Sequence, residues 1–324
     1  MIDHPGDPQP VGEVFLEALC QGLSPEPLQQ SLAALDIYLF LKHSKDKDSK
    51  ILCIFADSNP IAMLQQVVDI VKEASALMVA EPLSVTQKDG LANLVTSSDL
   101  AVQHFLTERL AALLPGCGFL CEEEDFRDLE EEFVWIIDPI DGTANYARGI
   151  ADCCISVALA RQGALQLGVV YSPGRGELYT AELGRGACCN GKPIHVSERP
   201  LADGLFCTAM STYRKEYART CSEIIYDIYM QSNDLRRWGS AAVELCLLAA
   251  GDIELYFEMR LQPWDYAAAM LILHEAGGCI AGWNGGAPSL VRPSLVIAAN
   301  RPESLGALLA VVHTHLPDGL PYRD

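Results

Sequence analysis

The segment Trp135–Thr143, in which an apolar run leads into two aspartates and a glycine turn, constrains the fold of this 324-residue chain most strongly. Phe133–Ile137 is a run of five apolar residues, which predicts a strand buried on both faces. Pro139 has no backbone N–H for a sheet ladder, so we expect the strand to end there. Asp138 and Asp141 are therefore predicted to lie together at the carboxyl end of a strand.

A second acidic group precedes this strand. Glu122, Glu123 and Glu124 follow the short apolar run Gly118–Cys121, and a second strand there would bring more carboxylate oxygens to the same sheet edge. Ionised carboxylates that lie close together repel unless a cation neutralises them, and Mg²⁺ takes oxygen ligands from such clusters. The alternative is an aspartate-rich turn closed by Gly142, but such a turn needs neither the strand nor the second acidic group. The sequence therefore predicts a cation site.

A further candidate ligand lies much later in the chain, at the start of a predicted helix. Pro263-Trp264-Asp265-Tyr266 is followed by a run rich in alanine and leucine that reaches Gly277-Gly278. This pattern predicts a helix with Asp265 at its start and the glycine pair at its end. On spacing alone, Asp265 is equally consistent with a helix N-cap and with a metal ligand.

Together these motifs resemble the two signature blocks of the inositol monophosphatase family of metal-dependent sugar phosphatases. The Trp-Ile-Ile-Asp-Pro-Ile-Asp-Gly-Thr block and the Trp-Asp block that ends in Glu-Ala-Gly-Gly are in the order and at the separation found in the family. Three shorter segments also resemble the family: Leu94–Asp99, Gly168–Pro173 and Gly239–Ala242. The resemblance covers roughly residues 60 to 315. It implies an α+β fold, the layered αβαβα sandwich of the sugar phosphatases.

The resemblance also implies a metal centre with two or three Mg²⁺ ions. The implied ligands, with Ile140 contributing its carbonyl, are Glu122, Asp138, Ile140, Asp141 and Asp265. Asp99 would lie near a weaker third ion. In this family one ion lowers the pKa of the attacking water and a second stabilises the leaving alkoxide.

Catalytic and substrate-binding roles follow from the same resemblance. Thr143 would hold the attacking water, and either Glu122 or the pair of Thr143 and Asp99 would withdraw its proton. Glu258 lies seven residues before Asp265, where the family has a sugar-contacting glutamate. The full set of implied substrate-binding residues is Asp141, Gly142, Thr143, Ala241, Glu258 and Asp265.

The predicted activity is Mg²⁺-dependent hydrolysis of a small-molecule phosphate monoester. The expected substrate is inositol monophosphate or a related polyol or sugar phosphate, attacked directly by water without a phosphoenzyme. A 3'(2'),5'-bisphosphate nucleotidase and a fructose-1,6-bisphosphatase are alternatives with the same chemistry. A catalytically silent scaffold that binds a phosphate ligand is an alternative of another class. Because the family is commonly dimeric and sensitive to Li⁺, we expect a homodimer with that sensitivity.

The charge and composition of the chain limit its partners. A formal net charge of −20 disfavours nucleic acid polymers and anionic membranes, which would repel the protein. The first residues carry acid and proline, and no apolar run approaches the roughly 18 residues that span a bilayer, so we expect no targeting signal and no membrane span. The 12 cysteines include no Cys-x-x-Cys pair, which favours reduced thiols and a cytoplasmic location.

The motifs divide the chain into two parts. Residues 59–324 contain every motif described above and are predicted to form the phosphatase-like domain. Within this part, Cys154–Ala160, Ala164–Ser172 and Glu177–Ala181 alternate with turn residues, which predicts an antiparallel meander. Residues 1–58 exceed what such a domain needs, and we expect an N-terminal extension or small appended lobe of unknown role.

Overall fold

The computed structural model describes residues 60–79, 85–87, 94–123, 127–210 and 214–322. These residues belong to one compact unit that begins at Pro60. The predicted extension over residues 1–58 and its boundary lie outside the described residues, and both stay predictions.

The larger sheet contains the first acidic motifs. Its strands are β3 (Gly118–Cys121), β4 (Arg127–Asp128), β5 (Phe133–Asp141), β6 (Cys154–Arg161), β7 (Ala164–Ser172), β8 (Glu177–Glu182), β9 (Ala187–Cys189) and β10 (Lys192–Ile194). They lie in the order β10-β9-β8-β7-β6-β5-β3-β4, and β3 and β5 are the parallel pair. The antiparallel meander predicted for β6, β7 and β8 is confirmed. A separate antiparallel pair is formed by β1 (Val85–Gln87) and β2 (Leu94–Thr96).

The centre of this sheet is formed by β6 and β7, whose side chains are mostly apolar and buried on both faces. Gln162 and Gly163 connect them with φ angles of 49° and 80°, as a two-residue hairpin turn requires. Gly168 in β7 faces a helix so closely that a Cβ there would lie 2.7 Å from the carbonyl oxygen of Ala268. The missing side chain at Gly168 therefore lets that helix pack directly on the sheet.

The smaller sheet contains the strand that carries Glu258. Its members are β11 (Leu205–Thr208), β12 (Asp234–Arg236), β13 (Leu255–Leu261), β14 (Cys279–Ala281) and β15 (Ser294–Ala299). Their order is β12-β11-β13-β15-β14, with β11 parallel to both of its neighbours and β15 antiparallel to both of its own.

Helices form the remaining layers. Their bounds are α1 (Pro60–Ser75), α2 (Ser97–Leu113), α3 (Thr143–Tyr146), α4 (Ala218–Tyr229), α5 (Ala241–Ala249), α6 (Pro263–Glu275) and α7 (Pro302–His315), with short 3₁₀ turns at Ala76–Val79, Leu201–Asp203 and Lys215–Tyr217. The pair α1 and α2 packs on one face of the larger sheet, α5 and α6 pack between the sheets, and α4 and α7 cover the smaller sheet. The predicted α+β fold with αβαβα layers is confirmed.

Between the sheets, α5 is buried on every side. All nine of its residues are buried, because its sequence is apolar all round except for Glu244. Tyr256, Trp264 and Tyr266 belong to the same core. Despite such apolar helices, none in the described part of the chain is both long and apolar enough to cross a membrane.

The prediction that Pro139 ends the first strand is wrong, because β5 continues to Asp141. On one side, β3 pairs with β5 only as far as Ile137. The neighbouring strand β3 therefore needs no N–H from Pro139. On the other side, the register with β6 shifts between Asp138 and Asp141. This irregularity takes Pro139 out of the ladder, and both aspartates still lie at the carboxyl end of the strand.

Candidate active site

Three aspartates from two distant segments meet at this end of β5. Asp138 and Asp141 come from the strand and Asp265 from the first turn of α6. One carboxylate oxygen from each lies within 4.8 Å of the others. Asp138 is buried, and the other two are half-buried. A cluster of oxygen donors with this spacing fits a hard divalent cation such as Mg²⁺.

The electrostatics of this cluster favour a bound cation. Burial raises the pKa of Asp138 well above its usual range, and repulsion from Glu122, Asp141 and Asp265 raises it further. The pKa of Asp265 is also raised well above its usual range, first by burial and then by Asp141 and Glu122. Burial raises the pKa of Asp141 to about 6, although hydrogen bonds from Ser240 and the loop backbone oppose the shift. A cation would allow all these carboxylates to ionise together.

The predicted ligand Glu122 is held beside the cluster by its backbone and by that of its neighbour. Its amide donates to the carbonyl of Ile137 at 3.3 Å. The side chain of Gln103 on α2 binds the backbone of Glu123, donating to its carbonyl at 2.8 Å and accepting from its amide at 2.9 Å. The carboxylate of Glu122 lies near enough to raise the pKa of Asp138. The role of Glu122 as a ligand stays a prediction.

Asp265 occupies the third position of α6 and not the N-cap, which is Gln262. One of its oxygens, Oδ2, accepts from the backbone N–H of Gln262 at 2.7 Å. This bond fixes the side chain against the start of the helix, where an anion also interacts favourably with the helix dipole. The N-cap interpretation of Asp265 is therefore wrong, and its carboxylate is oriented toward the cluster.

The predicted catalytic residues Thr143 and Asp99 are in contact. The Thr143 hydroxyl lies 3.3 Å from Oδ1 of Asp99 and 3.1 Å from the carbonyl oxygen of Ile140. Asp99 is fully buried, and its Oδ2 accepts from the backbone and hydroxyl groups of Thr96 in a capping box at the start of α2. In turn, the amide of Ile140 donates to Oδ1 of Asp138 at 3.0 Å. These bonds connect Thr143 to the aspartate cluster.

The glycine after Asp141 permits a close approach of two loops. Gly142 has a φ of 90°, and a Cβ there would lie 3.0 Å from the carbonyl oxygen of Asp152 and 3.2 Å from the Cβ of Ser240. A side chain at residue 142 would therefore be strained and would displace the loop. Asn145, one turn later, donates to the carbonyls of Asp152 and Trp238 at 2.7 Å each.

The segment Gly239–Ala242, which we call the 239 loop, contacts Asp141 directly. Oδ2 of Asp141 accepts from the Ser240 hydroxyl at 2.6 Å and from the Ala242 amide at 2.7 Å. The predicted substrate residue Ala241 lies between these two donors and is buried. The loop therefore fixes one oxygen of Asp141.

Glu258 lies on β13 close to the same cluster. Its Oε2 accepts from the Tyr256 hydroxyl at 2.8 Å. Burial raises its pKa to about 8, Asp141 contributes to the rise, and Arg237 opposes it. Arg236, in contrast, lies at the end of β12 and pairs with Asp234 at 2.5 Å on the surface.

Two supporting residues, Gln103 and Glu244, lie outside every motif, and a third, Ser240, lies in the Gly239–Ala242 segment but had no role assigned from the sequence. Ser240 has a local signal, since a serine before an apolar helix is a preferred N-cap, and its hydroxyl accepts from Val243 at 3.4 Å. Gln103 and Glu244 have no such signal, because the pairing of their side chains with loop backbone is visible only in the fold.

Comparisons with known proteins agree with this geometry. The model of the inositol monophosphatase family matches residues 59–316. Nus factor SuhB of Escherichia coli strain K12 is 33% identical over 242 residues, which cover 74% of this chain and 90% of that protein. Among solved structures, the IMPase of Thermotoga maritima is 28% identical with a TM-score of 0.69, covering 78% of this chain and 99% of the other. Inositol monophosphatase from Anabaena is 27% identical with a TM-score of 0.68, covering 79% of this chain and 97% of the other. The chain belongs to the inositol monophosphatase family.

Proposed function

We propose that this protein is a Mg²⁺-dependent phosphomonoester hydrolase that acts on inositol monophosphate or a related polyol or sugar phosphate. One observation carries the proposal: the three aspartates, drawn from β5 and α6, present oxygens within 4.8 Å of one another. Membership of the inositol monophosphatase family supports the reaction class.

The donor set of the proposed metal centre consists of oxygen atoms. The proposed ligands are the carboxylates of Glu122, Asp138, Asp141 and Asp265 and the carbonyl of Ile140. When bound there, Mg²⁺ would lower the pKa of a water molecule and offset the negative charge of the phosphate. Asp99 is the proposed neighbour of a further, weaker ion.

Thr143 and Asp99 supply a route for a proton. The Thr143 hydroxyl can donate to Asp99 at 3.3 Å while its oxygen lone pairs accept from a water. A proton withdrawn from that water can thus pass through the hydroxyl to the buried carboxylate. Glu122 is the alternative proton acceptor. Water that loses its proton in this way can attack the phosphorus directly, so the reaction requires no phosphoenzyme.

Substrate recognition is proposed for the residues around the cluster. Backbone N–H groups of Gly142 and Thr143 would hold phosphate oxygens. Asp141, Ala241 and Glu258 would contact the hydroxyl groups of the polyol, and Asp265 would lie beside the leaving group. The hydrogen bond from Tyr256 fixes Glu258 for this role.

Two other classes of function, a bisphosphate phosphatase and a non-catalytic scaffold, compete with this proposal. A nucleotidase or fructose bisphosphatase would need extra cations for a second phosphate, and Arg236 is already paired with Asp234. A non-catalytic scaffold is consistent with relatives named Nus factor SuhB. We favour catalysis because the chain keeps every proposed ligand together with Thr143. A homodimer, the absence of a nucleic acid partner and sensitivity to Li⁺ stay predictions.

The test is phosphate release from a panel of substrates with and without Mg²⁺. The panel contains inositol monophosphate, a sugar monophosphate, fructose 1,6-bisphosphate and a 3',5'-bisphosphate nucleotide. We expect Mg²⁺-dependent turnover that is fastest on inositol monophosphate or the sugar monophosphate. An Asp265→Asn protein serves as the control for contaminating phosphatase. Preference for a bisphosphate would select an alternative enzyme, and no turnover on any substrate would favour the scaffold.

A further inference from the structure

Glu244 is a buried carboxylate that accepts hydrogen bonds from the backbone of the loop before its own helix. It lies in the first turn of α5 and is 1% exposed. A single oxygen, Oε1, accepts from the amides of Trp238 at 2.6 Å and Gly239 at 2.7 Å. Burial of a carboxylate is unfavourable unless such bonds satisfy it. The position of Glu244 is therefore coupled to the conformation of the 239 loop.

The loop that Glu244 holds is the one that contacts Asp141. Gly239 has a φ of +91°, a conformation that turns the chain from the Glu244 carboxylate toward the aspartate. Beyond this turn, the donors of Ser240 and Ala242 reach Oδ2 of Asp141 at 2.6 and 2.7 Å. The hydrogen bonds of Glu244 therefore connect it to Asp141 through the loop backbone, and the two carboxylates also lie close enough to repel.

We propose that Glu244 is a positioning residue of the metal centre, which shapes the 239 loop so that its donors orient the Asp141 carboxylate. The inference rests on the proposed function, because it assumes that Asp141 is a metal ligand. Hydrogen bonds to a ligand from outside the coordination sphere fix its orientation, and their loss typically weakens metal binding. Glu244 acts one step further out, on the loop that supplies these bonds.

Glu254, the residue immediately before β13, provides a matched control. It is also 1% exposed and also accepts from backbone, at the amide of Leu205 at 2.7 Å. Its other oxygen accepts from Ser197 and Arg199 at 2.8 Å each. Both glutamates are buried backbone acceptors, but the groups that Glu254 holds do not contact Asp141. Glu254→Leu therefore reproduces the loss of a buried acceptor without disturbing the 239 loop.

The experiment measures binding of Mn²⁺, an ion with similar oxygen-ligand preference, by calorimetric titration of the purified full chain. We expect Glu244→Leu to weaken the binding by ~10-fold and Glu244→Gln, which keeps an acceptor oxygen, by less than ~3-fold. Glu254→Leu should lower the melting temperature but leave Mn²⁺ affinity unchanged. A purely structural role for Glu244 would give the same result for both leucine variants, and that result overturns the proposal.

A second variant decides the question if Glu244→Leu does not fold. Gly239→Ala leaves Glu244 intact. The alanine would have to adopt the positive φ of residue 239, and its Cβ would lie 3.2 Å from Nδ2 of Asn145. We expect the displaced loop to weaken Mn²⁺ binding by ~10-fold, and unchanged affinity in that variant would overturn the proposal. Failure of the proposed function is distinct, because wild-type protein without a metal centre would bind no Mn²⁺ at all, and a non-catalytic scaffold would bind Mn²⁺ but release no phosphate.

Discussion

Two sets of buried carboxylates in this molecule differ in what balances their charge. Glu254 is paired with the guanidinium of Arg199 at 2.8 Å and accepts from the Ser197 hydroxyl and the Leu205 amide. Asp138 lies among Glu122, Asp141 and Asp265, all of which raise its pKa. The first carboxylate has its counter-charge within the fold, whereas the second is surrounded by charges of its own sign.

The comparison separates carboxylates that serve the fold from those that serve a ligand. A buried charge with a fixed partner contributes to a unique structure, and removal of one partner is strongly destabilising. A cluster of like charges destabilises the fold by itself and is stabilised when a cation binds. The Asp138 cluster therefore should depend on metal for its stability, and Glu254 should not.

The largest effect is expected from Asp138→Asn, which tests the dependence of the cluster on metal. The substitution removes one ligand charge, and we expect kcat/KM with Mg²⁺ to fall by about 10³-fold or more, since metal-ion stabilisation supplies several kcal/mol. The same change relieves repulsion among the carboxylates, so the metal-free variant should melt at a higher temperature than the metal-free wild type. Phosphate release and thermal unfolding in EDTA measure the two effects.

A loss of activity together with a gain in metal-free stability is the result that distinguishes a metal centre from a carboxylate that only stabilises the fold. If Asp138→Asn lowered both, Asp138 would resemble Glu254, and the comparison would lose its basis. Full activity with Mg²⁺ in this variant would contradict the proposed function itself.

The next effect concerns Thr143, which lies in the cluster region without contributing charge. Thr143→Ala removes the hydroxyl that contacts Asp99 and the Ile140 carbonyl. We expect kcat to fall by about 10²-fold, the lower end for loss of proton transfer, with Mn²⁺ affinity close to that of the wild type. Thr143→Ser should restore most of the rate. A Thr143→Ala protein with weakened metal binding and normal kcat would assign Thr143 to metal coordination and not to proton transfer.

Much of the cluster was predictable from the sequence, because its members lie in contiguous motifs. Asp138 and Asp141 follow one apolar run, and Asp265 lies in the first turn of a helix whose start and stop residues are clear in the sequence. Their spatial meeting is a consequence of the αβαβα layers, which place the carboxyl end of β5 near the start of α6. The resemblance to a family supplied this step, and periodicity alone did not.

Rules based on local sequence failed where the structural role of a residue depends on its partner elsewhere in the fold. Pro139 does not end β5, since β3 stops pairing at Ile137 and the β6 register shifts beside it. Glu244 was not identified because its partners are backbone amides of Trp238 and Gly239, which any sequence offers. Unlike the N-cap Ser240, Glu244 follows no capping pattern, so its residue type does not reveal these bonds and only the fold does.

A smaller effect, on stability alone, is expected for Glu254, the carboxylate whose charge is balanced within the fold. Glu254→Gln removes the charge that faces Arg199 and weakens the bonds to Ser197 and Leu205. We expect the free energy of unfolding to fall by about 2 kcal/mol, the range for hydrogen bonds to a charged group. Activity per folded molecule should be unchanged. Urea unfolding in the presence and absence of Mg²⁺ should give the same loss, and a loss that depended on Mg²⁺ would link Glu254 to the metal centre.

The smallest effect is the pH dependence of the metal-free protein, which should reflect the carboxylates around the cluster. Burial raises the pKa of Glu244 to about 7 and that of Glu258 to about 8. A carboxyl whose pKa is higher in the folded state stabilises the fold below its unfolded pKa, and this contribution is lost as pH rises through the folded pKa. The melting temperature in EDTA should therefore fall by a few degrees between about pH 5 and about pH 8.5. Glu258→Gln should reduce the slope, and so should saturating Mg²⁺, whose positive charge lowers the pKa of nearby carboxyls. A melting temperature that rose over this range, or a slope unaffected by both changes, would show that these carboxylates are balanced within the fold as Glu254 is.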